Sequence, residues 1–244
     1  MNGPALTTYG TDAEEAQRFG LPCGGTVQIV LEPLSGETWL HELLAAIKGG
    51  SGFERRLNLE SGAVSIADSG DDERVSFDGR ELRTVHGPRY RLLLIGAGQL
   101  SRYVASIASM LDYQVTVCDP RPEYHEAWSA ISDARLSTLM PDDLVLEMKL
   151  DAHCAVLALT HDPKLDDMAL MEALKTPAFY IGALGSKRSS EARRTRLLEL
   201  DLAPEQIAKL HGPVGLKIGG STPPEIAVSI VAEMTAVRNG AIPA

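Results

Sequence analysis

The residues with the plainest chemical purpose are Gly96, Ala97 and Gly98, which directly follow the apolar run Leu92–Ile95. A glycine at the first position permits a tight turn, and one at the third lets backbone approach a pyrophosphate. Gln99 and Leu100 then open a helix whose free N–H groups and positive dipole end suit an anion. Ser101 stands where that helix must pack closely on the strand, and serine is small enough to allow it. Asp119 lies roughly 20 residues beyond the turn, where a carboxylate accepts bonds from ribose hydroxyls. Pro120 and Arg121 follow it. Together these residues predict a dinucleotide-type site.

Other segments carry side chains suited to ligand contact. Thr160-His161-Asp162 places a hydroxyl, an imidazole and a carboxylate after the apolar run Ala155–Leu159. Read functionally, His161 contacts ligand or moves a proton. Read structurally, Thr160 or Asp162 caps the next helix and His161 sits in a loop. The segment Gly182–Arg188 combines Gly182 and Gly185 with Ser186 at a helix start and the cations Lys187 and Arg188. It predicts an anion site built from backbone amides and basic side chains. Arg193, Arg194 and Arg196 follow, and a solvated helix face is the expectation for them. Cys23 stands between Pro22 and Gly24-Gly25. It is either a nucleophile, sulfur carrier or soft-metal ligand, or a small half-buried residue opening a strand. Cys118 and Cys154 adjoin strands and are expected in the core. The histidines and cysteines show no spacing for a structural zinc site.

The elements that must position these groups are legible from periodicity. Leu92–Ile95, then Leu100, Val104, Ile107 and Leu111 at helical spacing, then Val115–Cys118 read as strand, helix and strand. Helices are expected over Pro122–Ala130, from Pro141 and, after Thr160-His161-Asp162-Pro163, through Leu174, with a strand at Ala178–Ile181. A last helix runs from Pro223 to Arg238, with Thr222 and Glu225 forming a capping box. Alternating strands and helices imply an α/β, doubly wound parallel sheet of Rossmann type, with ligands beyond the strands' C-terminal ends. Residues 1–86 predict a smaller α+β lobe with a mainly antiparallel sheet, and 87–244 the nucleotide- or cofactor-binding domain. In the lobe, a helix near Asp12–Phe19 precedes a strand, Thr26–Glu32, in which Val27, Ile29 and Leu31 alternate with polar neighbours. A helix, Glu37–Lys48, follows, and then the short alternating runs Phe53–Leu59, Ala63–Ala67 and Arg74–Phe77.

At 244 residues, with 44% hydrophobic and 23% charged residues, the chain can bury a real core. Its net charge of −10 argues against a nucleic-acid binder. No apolar run is long enough for a transmembrane helix, and the N-terminus lacks the pattern of a signal peptide. Three cysteines cannot build a disulfide framework, so a cytoplasmic location is expected.

Taken together, the motifs resemble those of the xanthine dehydrogenase accessory factors, the XdhC/CoxI-type family of molybdenum-cofactor maturation proteins. The matching pieces are Leu21-Pro22-Cys23-Gly24-Gly25-Thr26 with Leu31-Glu32-Pro33, Gly96-Ala97-Gly98 and Asp119-Pro120-Arg121-Pro122. Thr160-His161-Asp162 with Leu165-Asp166-Asp167, Tyr180–Arg188, His211–Leu216 and Thr222–Arg238 complete the set. The resemblance implies a C-terminal Rossmann-type domain that binds molybdopterin, protects it while its terminal sulfur is installed, and passes it to an apo-molybdenum hydroxylase. It further implies a cleft-facing Cys23 and a cysteine desulfurase as a second partner. Family members usually carry a longer N-terminal half with a further Gly-Gly-Cys segment. A separately encoded N-terminal-half polypeptide, a divergent paralogue and a cofactor-binding relic are therefore all compatible with this chain. Two other readings use the same cleft. One is an NAD(P)-dependent oxidoreductase, in which Asp119 selects NAD and Arg121 weakens that selection. The other is a nucleotide-sensing regulator whose oligomeric state responds to binding; under any reading, a homodimer is the default expectation for a chain of this size.

Overall fold

The structure is a computed structural model that describes residues 3–21, 25–33, 38–48, 53–68, 75–86, 90–129 and 134–243. Cys23 lies outside them. The chain divides into two compact units, Met1–Pro88 and Arg89–Ala244.

In the first unit, β1 (Ala5–Tyr9) pairs antiparallel with β2 (Val27–Leu31), and α1 (Ala13–Arg18) lies between them in sequence. Asp12 caps α1 by accepting from the Glu15 N–H at 2.8 Å. After α2 (Thr38–Lys48) come β3 (Phe53–Asn58), β4 (Val64–Asp68), β5 (Val75–Phe77) and β6 (Glu81–His86). They form an antiparallel sheet in the order β4-β3-β6-β5. The alternating Val27, Ile29 and Leu31 do share one side of their strand, yet each is about two-fifths exposed, at 39%, 42% and 43%. Alternation tells which residues share a face, not whether that face is covered. The central strand β3 instead buries charge. Arg55 pairs with Glu32 and lies over the Trp39 ring at 4.3 Å, while Glu54 accepts from Arg56 and Arg83.

The second unit begins with β7 (Tyr90–Ile95), α3 (Gln99–Met110) and β8 (Tyr113–Cys118). A 3₁₀ turn at Pro122–Tyr124 then leads into α4 (His125–Ser129), β9 (Arg135–Ser137) and α5 (Pro141–Met148). Next come β10 (Cys154–Ala158), α6 (Pro163–Ala173), β11 (Tyr180–Ala183) and α7 (Lys187–Glu199). The unit closes with α8 (Pro204–Ala208), β12 (Leu210–His211) and α9 (Pro223–Arg238). Six strands run parallel in the order β12-β11-β10-β7-β8-β9, the doubly wound arrangement that alternation predicts.

Burial explains why β7 reads as an unbroken apolar run. Leu92 and Leu94 enter the layer that contains Val104 and Ala108 of α3 and Ile230 of α9. Leu93 and Ile95 enter the opposite layer, with Ala169 and Leu170 of α6. A strand covered on both faces has no polar side to show. The helices that follow the adjacent strands β7 and β10 thus pack on opposite faces of the sheet. In sheets of this order, ligands bind at this switch point, beyond the ends of the two strands. Among the described residues, no helix is long and apolar enough to cross a membrane.

Candidate functional site

The β7–α3 turn is shaped by two glycines doing different things. Gly96 has φ +105°, and a Cβ there would stand 2.9 Å from Thr160 Cγ2 and 3.2 Å from Thr160 N. Backbone handedness and the close approach of the β10 end therefore both demand glycine. Gly98 is the N-cap of α3 with φ −79°, a conformation open to any residue, and nothing lies within 4 Å of where its Cβ would be. No side chain caps this helix, and no acid occupies its first turn, where Gln99 and Leu100 stand. Ser101, one turn in, is 1% exposed, and its hydroxyl is buried without a hydrogen-bond partner. Amide donors, a positive dipole end and open space thus coincide at the switch point.

Asp119 sits where expected, just past β8, but its bonds differ from those of a ribose acceptor. It is 0% exposed. Its Oδ2 accepts from the Ala97 N–H at 2.8 Å and from Arg121 Nη2 at 2.9 Å, and its Oδ1 from Arg121 N at 3.1 Å and Nε at 2.9 Å. Burial alone would raise its pKa, yet the hydrogen bonds from Arg121 and Ala97 outweigh burial and hold it below the usual carboxylate range. The acid braces the glycine turn and orients Arg121, whose guanidinium lies over the Tyr124 ring at 4.2 Å. Neither carboxylate oxygen is left facing a ribose. Sequence spacing locates an acid but cannot show that an arginine two residues later folds back on it. Pro120 is half-buried between them, and the Asp119 carbonyl is bonded to His125 Nε2 at 2.7 Å.

At the end of β10, the structural reading of Asp162 holds, since its Oδ1 accepts from the Lys164 N–H at 2.9 Å and caps α6. Thr160 donates its hydroxyl to Asp166 at 2.7 Å, and its N–H meets the same oxygen at 3.2 Å. His161 is exposed with φ +64°. That left-handed backbone costs an L-residue about 1 kcal/mol and projects the imidazole from the strand end.

The segment after β11 divides in two. The strand begins two residues later than expected, so Gly182 lies inside it rather than in a loop. A Cβ on Gly182 would stand 2.7 Å from Val214 Cγ2, which makes it a packing residue. A Cβ on Gly185 would stand 2.5 Å from Ser189 Oγ. Ser186 accepts from the Ser189 N–H at 3.1 Å, and Ser189 Oγ accepts from the Ser186 N–H at 2.7 Å, so α7 satisfies part of its own N-terminus. Lys187 and Arg188 are exposed and form no ion pair among the described residues. Ser190, 3% exposed, holds a second buried hydroxyl without a partner, beside Gly212.

Arg193 and Arg196 correct the expectation of a solvated helix face. Arg193 is 5% exposed, donating Nη2 to Asp166 at 2.9 Å, Nε to Asp167 at 3.0 Å and Nη1 to the Leu184 carbonyl at 3.1 Å. Arg196 adds a bond to Asp167 at 2.7 Å. This network, whose pairings the sequence does not show, clamps α7 to α6 and, through Asp166, to Thr160. The available signal was Asp166 itself, a carboxylate on the buried stripe of Leu165, Ala169, Leu170 and Ala173. A second cluster also escapes sequence reasoning: Glu233 of α9 accepts from Tyr180 Oη at 2.5 Å and from the Gly215 N–H at 2.6 Å. Cys118 and Cys154 are core residues as expected, with burial pushing both thiols up to about 12.

The loops after β7, β8, β10 and β11 therefore gather at one sheet edge the glycine turn, Arg121, His161 and the Lys187–Arg188 pair. A family model described as the XdhC Rossmann domain matches residues 92–234. A protein of Bacillus subtilis described as a probable subunit of xanthine dehydrogenase is 34% identical over 151 residues, which are 62% of this chain and 44% of that protein. The molybdenum cofactor insertion chaperone PaoD of Escherichia coli is 25% identical over 247 residues, 96% of this chain and 69% of PaoD. The crystal structure of a xanthine dehydrogenase from Bacillus halodurans matches with a TM-score of 0.71 at 25% identity, covering 99% of this chain and 77% of that one. The chain thus spans less than half the length of the B. subtilis relative. With more than half of its length matched by this one family model, the chain belongs to the XdhC family.

Proposed function

We propose that this chain is a carrier for molybdenum cofactor, receiving the molybdopterin as cargo and releasing it to an apo-molybdenum hydroxylase. The observation that carries the reading is the uncapped, open β7–α3 turn at the switch point of an XdhC-type Rossmann domain. The cargo is a phosphorylated pterin, and a phosphate needs what this turn offers: amide donors, a helix dipole and room for backbone contact. The name of PaoD, a molybdenum cofactor insertion chaperone, supports the same reading.

Each group then has a task. Gly96 makes the turn, Gly98 lets the phosphate approach, and the amides of Gln99 and Leu100 donate to it. Lys187 and Arg188 lie two strands away from β7, about 10 Å, where they balance further negative charge on the ligand. His161, between them, supplies an imidazole that donates to or accepts from the cargo. The cofactor itself brings the redox chemistry, and the protein contributes holding, orientation and shielding from water. Cys23, a cysteine desulfurase partner and a separate N-terminal-half polypeptide belong to this proposal as expectations carried from the family resemblance, and a homodimer as the default for a chain of this size.

The test is direct. The purified chain is mixed with molybdenum cofactor released from a donor enzyme, separated on a sizing column, and added to apo-hydroxylase. Co-elution near one cofactor per chain, followed by appearance of hydroxylase activity, is expected. Clean separation of cofactor from protein would overturn the reading.

A further inference from the structure

In sheets of this type, the acid after the second strand ordinarily faces a ribose. Here Asp119 faces the protein. It has no exposed surface, and its two oxygens accept four hydrogen bonds, one from Ala97 and three from Arg121. What reaches the surface in its place is the Arg121 side chain, 26% exposed. The guanidinium is fixed along one edge by the carboxylate and on one face by the Tyr124 ring. With Nε and Nη2 committed to Asp119, Nη1 is left without a partner among the described residues. Ala97 N and Arg121 Nη2 share a single carboxylate oxygen, so this donor stands beside the glycine turn.

We propose that Arg121 makes this rim of the cleft a reader of phosphomonoesters and blind to a ribose diol, so that it determines specificity for the ligand's outer phosphate. A diol needs an acceptor, and the carboxylate at this rim is closed to it. A phosphomonoester carries about −1.5 to −2 charge near neutral pH and accepts charge-assisted bonds from an oriented guanidinium. The positive end of α3 lies on the same side and reinforces the preference. The inference rests on the cleft being the anion site proposed above, and does not depend on the identity of the cargo. Two ligands present the required group: the terminal phosphate of a pterin cofactor and the 2′-phosphate of a nucleotide.

Calorimetric titration of the full chain separates these sources. One arm compares 2′,5′-ADP with 5′-AMP, and the other compares hydroxymethylpterin phosphate with the unphosphorylated pterin. In at least one arm the phosphorylated probe is expected to bind tenfold or more tightly than its partner. Arg121→Met, checked for folding by circular dichroism, should lower that ratio at least fivefold, leaving only what the glycine turn contributes. Arg121→Lys keeps the charge but loses the planar fork, and should lower the ratio at least threefold; it carries the test if the Met variant does not fold. Ratios near one in both arms for the wild type, or a wild-type ratio retained in a folded Arg121 variant, would overturn the inference. Failure of the carrier reading looks different: cofactor would not be retained although the ratios stand. Cofactor retained with ratios near one would sink this inference alone.

Discussion

Two helix N-termini face the same sheet edge and are finished in opposite ways. At α7, Ser186 and Ser189 exchange hydrogen bonds and answer the helix's own donors. At α3, the N-cap is a glycine with nothing around it, and no side chain answers the amides. Unanswered donors at a helix end need water or a ligand, and an answered end needs neither. The difference separates roles: α3 offers backbone to an anion, whereas α7 offers only the side chains of Lys187 and Arg188. The anchoring differs as well. Arg193 holds α7 through buried ion pairs, while the α3 turn is held by Gly96 against Thr160 and by Asp119 beneath Ala97.

The largest effect expected from breaking this arrangement is at the α7 anchor. Arg193→Met leaves Asp166 buried without its cation and Asp167 with Arg196 alone, which should cost about 3–5 kcal/mol in urea unfolding. A loss under about 1 kcal/mol would mean that the clamp is not structural. At the other end, Gly96→Ala must accept both φ +105° and a clash with Thr160, and should cost about 3 kcal/mol by the same measurement. A neutral result would show that the turn is not held as described. Ser186→Ala removes one cap bond and should cost about 1 kcal/mol while leaving phosphate-ligand affinity unchanged. A tenfold fall in that affinity would erase the distinction between the two helix ends.

The smallest effect concerns pH at α9, a helix end answered by a carboxylate. Glu225 accepts from the Thr222 N–H, the Thr222 hydroxyl and the Ser221 N–H, and its pKa is lowered to about 2 by these bonds. The folded pKa lies below the unfolded one, so the contribution is present above the unfolded value near 4.5 and fades as pH falls toward 2. Glu225→Gln should therefore flatten the acid limb of a thermal-stability profile between those values and leave its shape above them unchanged. An unaltered acid limb would contradict the assignment.

What is legible in the sequence follows from local patterns. Strand β7 stands out because both of its faces are buried, and α9 because Thr222, Pro223 and Glu225 are start signals that act within one turn. The glycine turn stands out because Gly96 meets a backbone requirement that few residues can meet, while Gly98 leaves the helix end clear of any side chain. The partners of charged residues are not legible, because they depend on pairing across helices and on which face a loop folds toward. Spacing puts Asp119 at the right strand end but assigns it a ribose where the structure gives it Arg121, and it reads Arg193 as solvated although that side chain is buried. Gly182 reads as loop because the expected β11 starts two residues early, enough to turn a packing glycine into an apparent cradle.

The central claim is that the open β7–α3 turn holds the phosphate of the cofactor, and Gly98 tests it most directly. A Cβ at Gly98 meets nothing within 4 Å, so Gly98→Val should fold, at a cost of about 1 kcal/mol for a poorer N-cap. Its branches would nevertheless fill the space a phosphate must enter. The dissociation constant for molybdenum cofactor, measured by equilibrium binding on both proteins, is predicted to rise at least tenfold in the variant. Equal affinity in the two folded proteins would contradict the account.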